Sequence, residues 1–291
     1  MTESLERSCS GTVMRRRAGK SWLREAPASP GLERMEAFFV GQAYTPHRHD
    51  TYAIGYTLSG IQCFDYRGEE RRSIPGKTIV LHPDELHDGR AGTEDGFQYR
   101  MIYVDPALIS QALGGKPLPF IRDVVLEHGQ IRHTVDLTFD DVESPMEDVR
   151  LGELILQIAE CLNGTVGNST SKSVAVDIRA ISRTRAYLRA HMERSVSRDE
   201  LETVSGLDRW TLARQFRRAC GTSMSRYLTM RRLERVRQLL HDGEALADAA
   251  ADAGFSDQSH MTRHFKKAYG LSPGRWVKLG TAKADELGST G

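Results

Sequence analysis

Residues 254–276 read GFSDQSHMTRHFKKAYGLSPGRW, and a related stretch, GLDRWTLARQFRRACGTSMSRY, occupies residues 206–227. Five residue pairs of like character lie 49 positions apart: Arg214 and Arg263, Phe216 and Phe265, Gly221 and Gly270, Ser223 and Ser272, and Tyr227 and Trp276. Gly206 and Gly254 are 48 positions apart, so the two copies differ by one residue in a turn. Repeated matches in residues of special backbone or core character predict two copies of one structural unit.

Each copy has the pattern of a helix, a glycine turn and a second helix. The capping and turn residues are Ser197, Glu200, Gly206 and Asp208 in the first copy, and Gly254 with Ser256 or Asp257 in the second. Ser197 and Glu200 have capping-box spacing, and glycine is common at helix C-termini. Two helices joined by a short turn, the second one basic, are typical of a helix-turn-helix DNA-binding unit.

The second helix of each copy is predicted to be amphipathic, with Leu212 and Phe216, and then Met261 and Phe265, on the inner faces. The outer faces then carry Arg209, Trp210, Ala213, Arg214 and Arg217 in the first copy, and Ser259, His260, Arg263, Lys266 and Lys267 in the second. An arginine near a helix start can pair with a guanine edge. The cations suited to phosphate contacts are Arg217, Arg218, Lys266 and Lys267.

Simpler interpretations stay open for this part of the chain. It can be a helical packing or protein-binding domain whose basic residues are incidental. Trp210 can lie in a core rather than on DNA, and His260 can simply be solvated.

Between the copies, Ser223–His241 contains no helix breaker and is periodic in apolar residues. A helix of this length spans about 27 Å at about 1.5 Å per residue. With the width of each unit added, two recognition helices can lie about one DNA turn of ~34 Å apart. The sequence therefore predicts that both units enter successive major grooves on one side of a duplex.

These motifs resemble the signature of the AraC-type (AraC/XylS) transcriptional regulators over about 179–279. The resemblance implies a DNA-binding regulator of transcription, not an enzyme, with two helix-turn-helix units bridged by a long helix. It places Arg209, Trp210, Ala213 and Arg214 in base-facing positions of the first unit, and Ser259, His260 and Arg263 in those of the second. Glu202, Met224 and Met261 depart from the residues usual in the family, which bears on local helix packing.

The overall charge of +1 conceals an asymmetry. Residues 177–291 hold 21 Lys and Arg against 14 Asp and Glu, whereas residues 1–176 hold 19 against 25. A basic third joined to an acidic remainder favours one part that meets a polyanion, although chance segregation of solvated charge gives the same pattern.

The four cysteines are scattered without a C-x-x-C pair, and no apolar run is long enough to cross a bilayer. We therefore expect a cytoplasmic protein, associated with the nucleoid, that makes no membrane contact.

The acidic remainder is rich in short strand patterns separated by turn dipeptides. Predicted strands include residues 52–58, 61–66, 78–82 and 97–104, and a further one over Ile131–Phe139. Such a series favours an antiparallel barrel. The resemblance extends weakly over 36–105 to the cupin-like sensor barrel common in such regulators. The predicted fold class is α+β, with a cupin-like antiparallel barrel followed by the all-helical double helix-turn-helix domain.

The predicted boundaries are a loose segment at 1–30, the barrel at 31–140, a helix and linker at 141–176, the DNA-binding domain at 177–279 and a tail at 280–291. Asp105 and Pro106 can start a short helix, and Ser144, Pro145 and Glu147 offer a cap for another. An apolar stripe follows at Leu151, Leu154, Ile155, Ile158 and Leu162. It suits packing on the barrel or a dimer seam equally well. Residues 163–173, NGTVGNSTSKS, have linker composition.

The barrel sequence holds Pro46-His47-Arg48-His49-Asp50, and later His82-Pro83-Asp84-Glu85-Leu86-His87. On an extended segment His47 and His49 point to one side, and His87 can join them. We predict His47, His49, Tyr56 and His87 as ligand-binding residues. Three imidazoles also suit zinc or iron, yet the glutamate usual in metal-dependent cupins is missing, although Asp50 can substitute. We expect no cofactor, with metal binding and purely structural histidines as alternatives; His82 is expected to be structural.

Three functions remain open from the sequence. The leading one is a ligand-responsive regulator that binds an operator in double-stranded DNA and a small-molecule effector, forms a homodimer and contacts RNA polymerase if it activates. The second is a metal-dependent cupin enzyme fused to a DNA-binding module. The third is a constitutive DNA-binding protein whose barrel serves only dimerisation.

Overall fold

The computed structural model describes residues 19–166 and 176–288. Ten strands and three helices form the first part, and seven helices form the second. The strands are β1 Trp22–Glu25, β2 Leu32–Phe39, β3 Gln42–His47, β4 Tyr52–Gly60, β5 Gln62–Tyr66, β6 Glu69–Ser73, β7 Thr78–Leu81, β8 His87–Ala91, β9 Phe97–Val104 and β10 Val125–Leu126. The helices are α1 Pro106–Ala112, α2 Gly129–Leu137, α3 Asp148–Val166, α4 Ile178–Ala190, α5 Arg198–Ser205, α6 Arg209–Cys220, α7 Met224–His241, α8 Leu246–Asp252, α9 Gln258–Tyr269 and α10 Pro273–Gly288.

The strands form two antiparallel sheets, one in the order β1-β2-β9-β4-β7-β10 and the other in the order β3-β8-β5-β6. Alternation along β4 separates the two faces of the first sheet. Ala53 faces the barrel interior, and its neighbours Tyr52 and Ile54 face the helices that cover the outer surface. The α+β prediction of a cupin-like antiparallel barrel followed by a helical domain is confirmed. Among the described residues 176–288 there is no strand.

The segment predicted to be loose at 1–30 contains β1, which extends the first sheet by pairing with β2. Leu23 is almost fully buried there, in one cluster with the residues of the barrel interior. The prediction is therefore wrong for Trp22–Glu25, and residues 1–18 lie outside the described part of the chain.

The strand predicted over Ile131–Phe139 is also wrong, because α2 occupies most of this stretch. His128 caps the helix by accepting a hydrogen bond at Nδ1 from the Ile131 amide, at 3.2 Å. The buried residues Ile131, Thr134 and Val135 follow helical spacing and pack against the barrel. The β-branched composition of the segment suggested a strand, and this packing overrides that local preference.

The helix predicted at Asp105-Pro106 is confirmed as α1, with the Asp105 carboxylate accepting from the Ala107 amide at 3.0 Å. The cap predicted at Ser144 is wrong, since α3 begins four residues later at Asp148. The Ser144 carbonyl instead accepts a hydrogen bond from the buried Arg34, 2.5 Å away, and Ser144 lies in a bend ahead of the helix.

The apolar stripe of α3 packs on the outer face of the barrel, so packing and not a dimer seam accounts for its residues. All five residues are buried in one cluster with Ile54, Ile102 and Val104 of the sheet. The helix runs to Val166 and so includes the first residues of the predicted linker. The rest of that linker, from residue 167, lies outside the described residues.

The helical domain follows the predicted pattern closely. The capping box of Ser197 and Glu200 starts α5, Asp208 caps α6 and Asp257 caps α9. Ser223 caps α7, whose 18 residues join the two units. At the other end of the domain, α10 continues into the segment predicted as a tail. None of the described helices is both long and apolar enough to span a membrane.

Candidate functional site

The recognition helix of the first unit, α6, presents the predicted base-facing residues to solvent. Arg209, Trp210, Ala213 and Arg214 are all exposed, and 76% of Trp210 is accessible. The core position considered for Trp210 is therefore wrong. The helix is oriented from within by Leu212 and Phe216, which are buried as predicted. Asp208 fixes its start by accepting from the Trp210 and Thr211 amides, both at 3.0 Å.

A contact that sequence reasoning missed ties down one of these residues. Glu202 of α5 accepts hydrogen bonds from the Arg209 amide at 2.6 Å and from its Nε at 3.0 Å. Arg209 also lies 3.5 Å from an oxygen of Asp199. These hydrogen bonds lower the pKa of the Glu202 carboxyl, which remains ionised. The sequence signal for this contact was the glutamate at position 202, which departs from the alanine usual in the family. An alanine side chain cannot accept hydrogen bonds from an arginine.

The recognition helix of the second unit, α9, has the same orientation relative to its own core. Ser259 and Arg263 are exposed, and Met261 and Phe265 are fully buried. His260 is half-buried: its ring stacks edge-on against His264 at 4.6 Å between centroids, and its Nδ1 lies 3.1 Å from Ser256 Oγ. His260 is therefore partly packed and not simply solvated.

The predicted phosphate contacts lie toward the ends of the two recognition helices. Arg217, Lys266 and Lys267 are exposed, and Arg218 is half-buried. Because these side chains lie on the solvent side of α6 and α9, the geometry permits the predicted division between base-facing and phosphate-facing positions. Contact with DNA remains a prediction for each of these residues.

The three predicted histidines of the barrel come together in one buried cluster. One candidate ligand nitrogen from each of His47, His49 and His87 lies within 4.8 Å of the others. The β3–β8 register places His47 directly opposite His87, and His49 follows two residues after the end of β3. The ring centroids of His47 and His87 are 4.3 Å apart, and those of His49 and His87 are 4.9 Å apart.

All three imidazoles are oriented by the main chain. Nδ1 lies 2.9 Å from the Thr45 carbonyl in His47, 2.9 Å from the Thr51 carbonyl in His49 and 3.0 Å from the Glu85 carbonyl in His87. A carbonyl only accepts, so each Nδ1 carries the proton and donates it. Each Nε2 is then left with its lone pair.

Burial keeps these imidazoles uncharged. It is the largest effect on all three and holds the pKa of His47 and of His49 well below the usual range. For His87 burial lowers the pKa to about 4. His87 also disfavours a proton on His47 and on His49, and His49 disfavours one on His47, since two like charges so close together are costly. At pH 7 the three imidazoles are therefore neutral, and each keeps a free electron pair on Nε2.

Tyr56 does not belong to this cluster. Its side chain lies on the other face of β4, among residues packed against α2 and α3, and its hydroxyl donates to Asp136 of α2. The prediction that it shares a pocket with the histidines is therefore wrong, because alternation along β4 points it away from the barrel interior. Burial raises its pKa to about 12, as expected for a packed phenol.

Two further polar residues near the cluster have other partners. Asp50, considered as a substitute for the missing glutamate, is buried and paired with Arg231 of α7, its carboxylate oxygens 2.9 and 3.1 Å from Nη2. His82 has both ring nitrogens occupied, by the Tyr66 hydroxyl at 2.8 Å and the Ile121 amide at 2.9 Å. The structural role expected of His82 agrees with this geometry.

The histidine cluster borders a cavity of about 30 Å³ between the barrel and the helical domain. The barrel contributes His47, His49 and Tyr103 to its wall, and the helical domain contributes Met230, Glu234, Arg237, Ala268, Tyr269 and Trp276. Arg237 pairs with Glu25 and with Glu33, 2.7 Å from the latter. Burial raises the pKa of Glu234 to about 7, against the effect of nearby Arg231. Sequence reasoning missed these residues because no local pattern links them.

The strand that carries the histidines is bonded directly to the second helix-turn-helix unit. The Gly270 carbonyl accepts from both the amide and the hydroxyl of Thr45, each at 3.0 Å. The Arg48 amide donates to the Lys267 carbonyl at 3.1 Å. A methyl group at Gly270 would lie 2.8 Å from His47 Nδ1, so the helix end fits against the cluster without room for a side chain.

Comparison with known proteins agrees with this division of the chain. An AraC-like ligand binding domain model matches residues 29–159, and a helix-turn-helix domain model matches residues 201–278. The transcriptional activator RhaS of Enterobacter sp. (strain 638) is 33% identical over 79% of this chain and 86% of its own length. The uncharacterised HTH-type regulator YbfI of Bacillus subtilis (strain 168) is 27% identical over 76% of this chain and 82% of its length.

The fold is also similar to that of ToxT from Vibrio cholerae, with a TM-score of 0.59 over 89% of this chain and 99% of that one, at 12% identity. ToxT has also been determined with an unsaturated fatty acid bound. Two matched domains in the expected order and relatives named as transcriptional regulators support the regulator over the fused-enzyme interpretation. The chain belongs to the AraC family of DNA-binding transcriptional regulators, with an N-terminal ligand-binding domain and a C-terminal pair of helix-turn-helix units.

Proposed function

We propose that ligand binding in the barrel regulates transcription through the contact between the barrel and the second helix-turn-helix unit. The observation that carries this proposal is the main-chain bonding of Thr45 and Arg48, which flank His47, to the end of α9. A ligand that touches the histidines differently in two arrangements of the domains shifts the balance between them. No separate relay is needed, because the ligand site and the DNA-binding unit share this contact.

The size of the cavity supports the same coupling. Organic ligands usually occupy pockets of about 300–1,000 Å³. The 30 Å³ beside the histidines is far smaller, so an organic effector enters only if the helical domain moves away from the barrel. Binding of such a molecule would therefore favour an opened arrangement.

DNA readout by both units is the part of the proposal that can be tested most directly. Arg214 and Arg263 are equivalent in the repeat, and both are exposed on their recognition helices. We expect replacement of either by alanine to cost about 1–3 kcal/mol on the specific site and to relax preference at its own base pairs. The two affected positions should lie about 10 base pairs apart.

The measurement is a binding series on an operator selected from random DNA, with every single-base variant tested against each protein. Arg72→Ala is the matched control, because this exposed arginine lies on β6 of the barrel. It should leave both affinity and base preference unchanged. Uniform weakening on all sequences by Arg263→Ala would instead make the second unit a phosphate clamp.

We further propose that the protein works as a homodimer on chromosomal DNA in the cytoplasm and contacts RNA polymerase when it activates. The activator name of the RhaS relatives supports the polymerase contact. Val149 and Leu156, one heptad apart on α3, are 76% and 45% exposed and offer an apolar dimer contact. Sedimentation of a Val149→Glu, Leu156→Glu double variant tests it: the variant should be monomeric where the parent is dimeric.

A further inference from the structure

We infer that His47, His49 and His87 form a binding site for a divalent transition-metal ion, sealed on one side by the second helix-turn-helix unit. Binding at the three histidines stands on the geometry of the cluster alone. Its effect on DNA affinity rests on the function proposed above.

The spacing of the nitrogens suits a single ion. Imidazole nitrogens bind Zn²⁺ at about 2.0–2.1 Å, so three of them around one tetrahedral ion lie about 3.4 Å from each other. The candidate nitrogens of the cluster lie within 4.8 Å of one another. Each nitrogen therefore has to move inward by up to about 0.8 Å to reach the Zn²⁺ distance, which rotation of the rings about their side-chain bonds can supply.

The protonation pattern is the one that metal-binding histidines show. Such a histidine usually donates its other ring N–H to a carbonyl or carboxylate, which fixes the tautomer and the ring plane. Here all three rings donate from Nδ1 to main-chain carbonyls, of Thr45, Thr51 and Glu85. Three separate histidines with the same tautomer, in one cluster, point to one shared ligand at Nε2.

One of these nitrogens has no partner among the residues that the structure describes. His49 Nε2 is buried and forms no hydrogen bond. A buried polar atom without a partner is unfavourable by about 1–3 kcal/mol, so such atoms in native proteins usually have an ion, a water or a function. A metal ion would satisfy His49 Nε2 together with the nitrogens of His47 and His87.

The donor set and the space available define the class of ion. Neutral imidazoles favour Zn²⁺, Fe²⁺, Co²⁺, Ni²⁺ and Cu²⁺ over the hard cations Mg²⁺ and Ca²⁺. Asp50 is paired with Arg231 and does not complete the set, so open positions remain for water or an anion. The adjoining cavity of about 30 Å³ accommodates an ion with a bound water.

The helical domain would sense the ion through His47. The Thr45 carbonyl orients this ring, and the Thr45 amide and hydroxyl both bond to Gly270 at the end of α9. An ion that fixes His47 therefore also fixes the strand segment to which the second unit is bonded. Metal binding should favour the closed arrangement of the two domains.

The test uses the full-length protein stripped of metal with a chelator and then titrated with Zn²⁺ by calorimetry, without DNA. We expect one Zn²⁺ per chain and a rise in melting temperature. His49→Gln and His87→Gln should each weaken binding at least about 100-fold, since each removes one of three ligands. His133→Gln, at an exposed histidine of α2, is the control and should bind like the parent.

Titration with Co²⁺ gives a second readout that does not depend on the variants folding. A visible absorption band of the full-length parent, lost on adding Zn²⁺, indicates imidazole ligation in an ordered site. Absence of both saturable Zn²⁺ binding and this band would overturn the inference. Zn²⁺ binding that survives in both histidine variants would overturn the assignment to these residues.

Two further experiments test whether Zn²⁺ binding is coupled to the second helix-turn-helix unit and to DNA binding. Gly270→Ala should weaken Zn²⁺ binding through His47, whereas Gly206→Ala, an equally left-handed glycine with no neighbour within 4 Å, should not. Zn²⁺ should change operator affinity at least about fivefold, and operator DNA should change Zn²⁺ affinity by the same factor. Unchanged operator affinity beside intact Zn²⁺ binding would overturn only the coupling. A negative result in the experiment with the Arg214 and Arg263 variants would contradict the proposed DNA readout but not the metal site.

Discussion

The two helix-turn-helix units have similar sequences but are attached to the barrel differently. The first unit has its own core, in which Leu212, Phe216 and Tyr227 join Ala107 of α1. The second unit belongs to the same buried cluster as the barrel interior, where Met261 and Phe265 are continuous with Phe39, Tyr44 and Tyr99.

Polar contacts show the same contrast. The second unit is bonded to the barrel by main-chain hydrogen bonds, and α7, which joins the two units, is bonded to it by the buried Arg231 and the half-buried Arg237. The first unit contacts the barrel through Gly221 beside Pro83, through an ion pair between Arg185 and Asp105, and through Arg226, which pairs with Asp84 and donates to the Arg48 carbonyl. The comparison indicates that a repeat in sequence does not require equal roles. The barrel bonds to the second unit through main-chain atoms next to His47, which supports the proposed regulation through that unit.

The largest expected effect concerns Arg237. It is half-buried between Glu25 and Glu33 and lies over the rings of Tyr269 and Trp276. Arg237→Ala leaves two partly exposed carboxylates without their cation and removes its contact with two aromatic rings, so it should lower the free energy of unfolding by about 2–4 kcal/mol. Urea unfolding, followed by tryptophan fluorescence, measures it.

Arg235→Ala, two residues earlier and exposed on α7, is the control for that experiment. It should change stability by less than about 0.5 kcal/mol. Equal effects of the two replacements would show that the second unit is not fastened to the barrel as the comparison requires.

The next largest losses of stability are expected when three glycines with left-handed backbones are replaced by alanine. Gly206→Ala should cost only the conformational penalty of about 1–2 kcal/mol, because space around it is open. Gly270→Ala should cost about 1–3 kcal/mol more, since its methyl group would lie 2.7 Å from the Thr45 carbonyl oxygen. Gly221→Ala would meet the Pro83 side chain at 2.6 Å.

Zn²⁺ titration of the same three variants sharpens the contrast between the units. Gly221→Ala should lower the melting temperature and weaken Zn²⁺ binding less than Gly270→Ala does. Its methyl group meets Pro83, which is linked to the cluster only through the amide of the next residue, Asp84, bonded to the His49 carbonyl, whereas a methyl group at Gly270 meets His47 itself. Equal losses of Zn²⁺ affinity in the Gly221 and Gly270 variants would remove the distinction between the two attachments.

A smaller effect is expected from Glu202, which has Ala250 as its counterpart in the second unit. Glu202 holds Arg209 and adds a negative charge beside the DNA-binding face. Glu202→Ala should raise operator affinity about two- to fivefold by removing both effects. Titration of operator DNA at constant salt measures this, and Asp248→Ala on α8 serves as the matched control. Lower affinity would mean that Glu202 orients Arg209 for readout.

The smallest expected effect concerns Lys267. Its carbonyl is bonded to the barrel, but its side chain is exposed on α9. Lys267→Ala should leave base preference intact and reduce the dependence of log affinity on log salt by about one unit. Binding measured between about 50 and 200 mM salt tests it. An unchanged slope would place Lys267 away from the phosphates.

Much of the helical domain was predictable because its signals are local. The capping box at Ser197, the caps at Asp208 and Asp257 and the inner faces of α6 and α9 depend on neighbours within about four residues. Prediction from local sequence pattern failed where a short segment fits both a helix and a strand, as at α2. The β-branched residues of this segment favour a strand, and packing against the barrel decides for the helix. It also failed at Ser144, where a bond to the distant Arg34 decides the backbone course.

The same distinction holds for the histidine cluster. The sequence by itself determined that His47 and His49 share one side of a strand, because side chains alternate along extended backbone. Only the tertiary structure decided that His87 lies opposite His47, that Tyr56 points away and that Asp50 is taken by Arg231. These outcomes depend on strand register and domain contact, which join residues about 40 to 180 positions apart, and no local periodicity encodes such distances.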